Sequence, residues 1–183
     1  EGVAPVVHCG FLREVDGEMV RPDLRMAVRE CIRRLLARHR RLTVFLPVER
    51  ALVSDQSLLG AAAAAEMLDG DGRVALVACG EEPQAEDYRR LARTRPGAVI
   101  TINEKHAERL RQAWAPARKR TVATLHTLPP YKGKTGMDLR MVQIGRVAVN
   151  FLEMKMRRLP LSSASFRQTL LVEPRWLEGD GAG

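Results

Sequence analysis

The chain has 183 residues, 45% of them apolar, which suffices for one hydrophobic core and predicts one domain with an extension. Thirty Lys and Arg against 22 Asp and Glu give a formal charge of +8 and a pI near 10.1, which favours a polyanionic partner such as RNA or DNA. No apolar run approaches the roughly 20 residues of a membrane span, and three widely spaced cysteines argue against a disulfide framework and for an intracellular, reducing compartment of unresolved identity.

Short apolar runs alternate with amphipathic segments along most of the chain. Predicted strands cover 4–9, 43–46, 73–79, 98–102 and 121–125, and predicted helices cover 23–36, 55–68, 85–94 and 104–114. Residues 11–22 are predicted to form a loop. This alternation predicts an α/β fold of three layers with a parallel sheet of about five strands, whose ligand edge is where strands lead into helices.

The run from Thr43 to Leu59 is the strongest single marker of this fold. Bulky apolar residues form the strand, Pro47 ends it, and the pair Ser54 and Asp55 supplies a helix N-cap. We assign residues 1–128 to one α/β domain and residues 129–183 to a basic loop and C-terminal extension that docks on a partner. Within that extension, 137–159 is predicted to form a strand and then a helix from about 147 to 158.

Polar residues follow each predicted strand where it ends. Carboxylates that converge from several strand ends are what a Mg²⁺ or Mn²⁺ site requires, because hard cations prefer oxygen ligands. A second interpretation stays open, since acids near a helix start are also favoured by the helix dipole. The strand-end residues are His8, Cys9, Ser54, Asp55, Glu86, Asp87, Asn103 and Glu104.

Five segments together resemble a known family. They are PVVHCG at 5–10, TVFLP at 43–47, SDQSLL at 54–59, EDYRRL at 86–91 and AVITINEKHAERL at 98–110. Their order over residues 4–115 is similar to that in the NYN branch of the PIN-like ribonucleases, of the type associated with CCCH zinc-finger proteins. The resemblance implies a catalytic and metal-binding set of Glu86, Asp87 and Glu104, with Asn103 beside it.

The first strand departs from the pattern of that family. Cys9 stands where active members carry an Asp, and a neutral thiol is a poor Mg²⁺ ligand. His8 and Cys9 cannot readily share a zinc ion, because adjacent strand residues point to opposite faces. A nucleophilic Cys9 with His106 or His126 as its base is possible, but no spacing selects it.

The resemblance therefore implies a catalytically degenerate PIN-like domain, a pseudo-ribonuclease without a cofactor, that binds RNA and protein within a larger ribonucleoprotein. An active endoribonuclease with Mg²⁺ or Mn²⁺ and a shifted first ligand such as Asp16 is the alternative. A scaffold that binds proteins through residues 129–183 is a third possibility. Enzymatic activity is left open, and no membrane partner is expected.

Basic residues supply the candidate RNA contacts. Cations that end a helix or enrich a loop can neutralise phosphates, although the same residues also suit the carbonyl end of a helix dipole or a solvated loop. A phosphate-loop interpretation of Gly133 to Thr135 fails, because Leu128 stands where that motif needs Gly. The candidates are Arg38, Arg40, Arg41, Asn103, Arg118, Lys119, Arg120, Lys132 and Lys134.

Overall fold

The structure is a computed structural model that describes residues 6–9, 18–47, 63, 65, 72–80, 82–114, 120–157 and 168–179. Strands and helices alternate in these parts of the chain. The elements are β1 (Val7–Cys9), β2 (Glu18–Pro22), α1 (Leu24–Leu36), β3 (Leu42–Leu46), β4 (Val74–Ala78), α2 (Ala85–Arg93), β5 (Ala98–Asn103), α3 (Glu104–Trp114), β6 (Thr121–His126), β7 (Gly136–Asp138), α4 (Met141–Arg157), β8 (Thr169–Val172) and β9 (Arg175–Leu177).

The larger of two sheets has the strand order β4-β3-β5-β6-β7-β9. Its neighbouring strands are parallel, except that β9 runs antiparallel to β7. Every residue of β3 is buried, because this strand has a neighbour on each side and helices above and below. The chain passes from β3 outward to β4 and returns to β5 on the other side of β3, so the strand order reverses between β3 and β5.

Helices cover both faces of the large sheet. On one face, α1 packs its apolar positions against side chains such as Val44, Ile100 and Leu125. On the other face, Leu91 of α2 and Leu110 of α3 pack against Phe45 and its neighbours. This alternation of buried side chains across each strand produces the three layers that the sequence predicts.

The smaller sheet contains β1, β2 and β8 in the order β1-β2-β8, and all of its pairs are parallel. Helix α4 covers it with Ile144 and Phe151, which pack against Val20 and Val172. The Lys155 ammonium lies 2.5 Å from Glu18 Oε1 and ties the helix to β2. The small sheet and α4 therefore have a hydrophobic core of their own.

Three connections carry the chain between the two sheets, at 22–24, 138–141 and 172–175. The Asp23 N–H donates to Val172 O at 3.0 Å, which joins the first connection to the third. Arg175 Nη2 donates to Asp138 Oδ2 at 3.0 Å, which joins the second to the third. The two sheets are thus linked by three connecting segments, which hydrogen bonds join to one another.

Most of the predicted elements in the described residues are confirmed. The strands expected near residues 43, 73, 98 and 121 and the helices expected near 23, 85 and 104 all form. The strand expected near Met137 is β7. The helix predicted over 55–68 lies outside the described residues except for positions 63 and 65, which are helical. The division into residues 1–128 and 129–183 stays a prediction.

Four expectations about elements are wrong. β1 belongs to the small sheet and not to the large one, since an apolar pattern shows that a strand forms but not which strand it pairs with. β2 lies in the segment expected to be a loop, and β8 and β9 form within residues 169–177, where no strand was expected. α4 begins at Met141, six residues before the expected start at Val147. None of the described helices is long and apolar enough to cross a membrane.

Candidate functional site

A cleft of about 300 Å³ opens at the carboxyl ends of β6 and β7. Its wall combines strand ends, the loop that follows β6, the first turn of α4 and one side chain of β9. This is the edge where ligands bind in open parallel sheets. The lining residues are His126, Thr127, Leu128, Pro129, Tyr131, Asp138, Leu139, Arg140, Met141, Val142, Gln143, Arg146 and Arg175.

Asp138 is the central acid of this cleft and is only 9% exposed. Its Oδ2 accepts a hydrogen bond from Arg175 Nη2 at 3.0 Å, and its Oδ1 accepts one from the Arg140 N–H at 2.7 Å. Tyr131 of the loop lies near enough for the Asp138 charge and a hydrogen bond to it to raise the Tyr131 pKa. One carboxylate therefore fixes the start of α4 and β9 relative to each other, with the loop residue Tyr131 beside it.

A β-bulge shapes the edge of the cleft at His126. The Thr124 N–H donates to Thr135 O at 3.1 Å, and the Thr127 N–H donates to Met137 O at 2.8 Å. The step from Thr124 to Thr127 is three residues, whereas the step from Thr135 to Met137 is two. The β6 side therefore has one extra residue. Bulges re-aim side chains and are common beside active sites. His126 keeps its regular register with Asn103 of β5 and lines the cleft beside this local mismatch with β7.

Gly136 makes the bulge possible. Its φ is +151°, and a Cβ on this residue would lie 2.2 Å from Thr124 O. The hydroxyls of Thr124 and Thr127 lie 2.6 Å apart, directly beside the glycine. Only a residue without a side chain fits between these groups.

Burial sets the protonation of two cleft side chains. It lowers the pKa of His126 below the ordinary value of 6.5, and the nearby Asp138 charge only partly opposes this effect. Burial also raises the pKa of Tyr131, and so do the Asp138 charge and the hydrogen bond to it. Near neutral pH the cleft thus contains a neutral imidazole and a protonated phenol, both of which can hydrogen-bond to uncharged hydroxyls.

Asn103 lies next to the cleft at the same edge of the sheet. It is the register partner of His126 on the neighbouring strand β5. Its Oδ1 accepts the His106 N–H at 3.0 Å and so caps α3. β5 is also one of the two strands between which the strand order reverses, so Asn103 extends the polar edge toward that point.

The predicted catalytic acids have local structural roles in the described residues. Asp87 Oδ2 accepts the Gln84 N–H at 2.7 Å, and Asp87 Oδ1 lies 2.5 Å from Arg90 Nη2. Glu86 Oε2 lies 3.0 Å from Arg89 Nη1 on the exposed side of the same helix. Glu104 Oε1 accepts a 3.5 Å hydrogen bond from the Thr124 hydroxyl.

Cys9 does not join these acids, because β1 belongs to the other sheet. Across the residues that the structure describes, no three His, Cys, Asp or Glu side chains are grouped so that they could hold a metal ion. Asp16, Ser54 and Asp55 lie outside the described residues. The assignment of Glu86, Asp87 and Glu104 to catalysis and metal binding therefore rests on the family resemblance alone.

The candidate RNA contacts lie at two opposite edges of the large sheet. Residues 38–41 precede β3 and Arg120 precedes β6, whereas Asn103 lies at the carboxyl edge. Strands of five residues separate these edges by about 16 Å. Lys132 and Lys134 lie in the loop between β6 and β7, and Arg118 and Lys119 fall outside the described residues.

Sequence reasoning missed most of the cleft. It considered His126 only as a base for Cys9, and it gave Asp138, Arg140 and Arg175 no role. One available signal could have found His126, since this residue directly follows the predicted strand 121–125. The other residues are brought together by the β6–β7 loop and by β9, which no sequence pattern indicated.

Neither a family model nor a curated protein matches the chain, but solved structures show its fold to be that of LacI-family transcriptional regulators. A LacI-family regulator from Enterococcus faecalis with bound ribose has a TM-score of 0.68 and 13% identity over 95% of this chain and 67% of that one. One from Enterococcus faecium, also with ribose, has a TM-score of 0.65 and 10% identity over 95% and 68%. A Sanguibacter keddieii protein assigned to the family has a TM-score of 0.67 and 21% identity over 98% and 74%.

These structures overturn the resemblance to NYN and PIN-like ribonucleases. The chain has the fold of the regulators across nearly its whole length, so the degenerate or active ribonuclease within a ribonucleoprotein is also wrong. The quoted segments misled because runs such as TVFLP and AVITINE mark a buried strand leading into a polar turn or helix. Any parallel α/β sheet needs such transitions, so their order did not distinguish the two folds.

Proposed function

We propose that the chain is a non-enzymatic sensor domain of a transcriptional regulator and that it binds a sugar in the cleft at the carboxyl edge of the large sheet. The observation that carries this proposal is the convergence on Asp138 of Tyr131, Arg140 and Arg175 from three separate elements. The likeness to regulators solved with ribose supports it.

The cleft has the chemistry that a sugar requires. Sugar hydroxyls need acceptors and donors at fixed positions, because each unsatisfied polar group loses free energy on burial. Asp138 offers acceptor oxygens, and the neutral His126 can donate or accept. Leu128 and Pro129 add apolar surface for the carbon skeleton of the ring.

A sensor role follows from where the cleft lies. Asp138 and Arg140 belong to one connection between the two sheets, and Arg175 belongs to another. A ligand that prefers one arrangement of these connections shifts the population of the whole molecule toward that arrangement. Binding energy then changes conformation, and no chemical step on the ligand is needed.

The test is calorimetric titration and thermal unfolding of the chain with a panel of pentoses and hexoses. We expect at least one sugar to bind and to raise Tm as its concentration rises above Kd. Asp138→Asn and His126→Ala should weaken that binding by about tenfold, the value of one buried hydrogen bond. His39→Ala, at the opposite edge of the sheet, is the matched control and should bind normally. Sugar binding that the His126 and Asp138 variants leave unchanged would refute this site.

A further inference from the structure

The cleft carries more positive than negative charge. Three arginines line it, Arg140, Arg146 and Arg175, against the single carboxylate of Asp138. Asp138 pairs with Arg175. Within the described part of the chain, the guanidinium groups of Arg140 and Arg146 form no ion pair with a carboxylate. Among the residues that the structure describes, no carboxylate therefore compensates these two positive charges at the concave surface.

The backbone adds to the same field. α4 has 17 residues, and its first hydrogen bond runs from the Ile144 N–H to Arg140 O at 3.0 Å. The preceding amides of Met141, Val142 and Gln143 belong to residues that line the cleft. The amino end of a helix carries a partial positive charge, so it reinforces the attraction for an anion that the two arginines create.

The charged side chains that line the cleft are distributed unequally within it. Asp138, Tyr131 and Arg175 form a neutralised group. Arg140 and Arg146 lie at the start of α4, where Asp138 accepts the backbone N–H of Arg140 but pairs with the guanidinium of Arg175. A ligand with hydroxyl groups beside Asp138 and an oxyanion beside Arg140 and Arg146 would match both groups of residues. The volume of about 300 Å³ lies at the lower end of the range for small-ligand sites, which suits a single sugar ring.

We propose that the ligand is an anionic monosaccharide, whose carboxylate or phosphate is held by Arg140 and Arg146. This inference rests on the proposed sugar-binding function and narrows the class of ligand. Guanidinium groups bind both kinds of oxyanion through charge-assisted hydrogen bonds. A sugar acid and a sugar phosphate both carry such an oxyanion, and the experiment must distinguish between these two classes of ligand.

The experiment compares matched ligands by calorimetric titration of the whole chain. The pairs are glucose with glucuronate and ribose with ribose 5-phosphate. We expect the anionic member of one pair to bind at least tenfold more tightly than its neutral parent, and this preference should shrink as NaCl is added. The pair that shows the preference identifies carboxylate or phosphate as the bound group.

Substitutions of single arginines test whether Arg140 and Arg146 cause the preference for the anionic ligand. Arg140→Gln and Arg146→Gln should each weaken binding of the anion by about tenfold and leave binding of the neutral parent within about twofold. Arg157→Gln is the matched control, because it removes an exposed arginine at the far end of the same helix, where Arg157 pairs with Glu153. It should bind the anion like the unmodified chain.

The outcomes separate the two proposals. Neutral sugars that bind as tightly as the charged ones would overturn the anionic ligand and leave the sugar site intact. An equal loss in Arg157→Gln and Arg146→Gln would also overturn it, since the effect would then come from the net charge and not from the cleft. If neither member of any pair binds and no sugar of the pentose and hexose panel binds, the proposed sugar-binding function itself fails.

Discussion

Gly136 is the residue on which the shape of the cleft most depends. Because its φ is +151° and Thr124 O lies 2.2 Å from the position of a Cβ, Gly136→Ala must move backbone atoms. We expect this substitution to lower the free energy of unfolding by about 2–4 kcal/mol, measured by urea denaturation.

Gly145→Ala is the control for that substitution. Gly145 lies within α4, and no atom is within 4 Å of its Cβ position. An alanine there should raise the free energy of unfolding by about 0.5–1 kcal/mol through helix propensity. If both substitutions changed the free energy of unfolding in the same direction, the close approach of Thr124 O to Gly136 would be contradicted.

His126 makes stability depend on pH. Its pKa in the folded chain lies below the ordinary 6.5, so the unfolded chain binds more protons in the interval between the two values. The contribution of His126 to the free energy of unfolding is fully present above pH 6.5. It is lost as the pH falls from 6.5 toward the lower pKa of the folded chain. Thermal unfolding at several pH values should show this loss, and His126→Gln should reduce it.

His39 contributes in the same direction, because burial and the Arg38 charge lower its pKa. The single His126→Gln variant should therefore retain part of the acid dependence, and a double variant with His39→Gln should retain less. A Tm of the unmodified chain that rises on acidification through this interval would be opposite to the expected sign.

At the level of single elements, the two adjacent acids of α2 should differ in importance. Asp87 accepts the Gln84 N–H and pairs with Arg90, and it is only 7% exposed. Asp87→Ala should therefore lower the free energy of unfolding by about 1–2 kcal/mol through loss of the cap. Glu86→Ala should change it by less than about 0.5 kcal/mol, since Glu86 forms only exposed pairs.

This comparison is made by urea denaturation of the two variants. Equal destabilisation by both substitutions would show that the hydrogen bond from the Gln84 N–H to Asp87 does not stabilise the start of α2.

The sequence predicted those elements whose local pattern is strong. Val44 and Ile100 lie in apolar runs that only a buried strand explains, and Asn103 marks a helix start by its own chemistry. β2 was missed because Arg21 and Pro22 occupy two of its five positions. The partner of β1 could not be predicted, since pairing depends on chain-distant contacts.

The candidate site was less predictable than the fold for the same reason. Asp138 and Arg175 are 37 residues apart and meet only because β7 and β9 pair. Gly136 gives no local sign that it permits a bulge opposite Thr124. Sequence proximity thus identified strand ends, whereas the cleft arises from a bulge and an antiparallel edge strand.

At the level of the whole molecule, the two sheets should differ in local stability. Phe151 belongs to the core of the small sheet, and Leu91 belongs to that of the large sheet. Phe151→Ala should accelerate hydrogen exchange in α4, β1, β2 and β8 more than in β3 to β6, because it opens a cavity in the smaller core.

Leu91→Ala is the matched variant in the large sheet and should show the reverse distribution. Native-state hydrogen exchange followed by mass spectrometry resolves the two sets of strands. A uniform acceleration over both sheets in either variant would mean that the two cores unfold together.

The interleaving of the two sheets has a consequence for synthesis of the chain. β8 completes the small sheet and β9 completes the large one, and both lie within residues 169–177. A chain that emerges from the ribosome in order presents β2 and β7 as open strand edges until these residues appear. Open edges can pair with other chains, so a chain truncated shortly before residue 169 and released from the ribosome should be prone to aggregate.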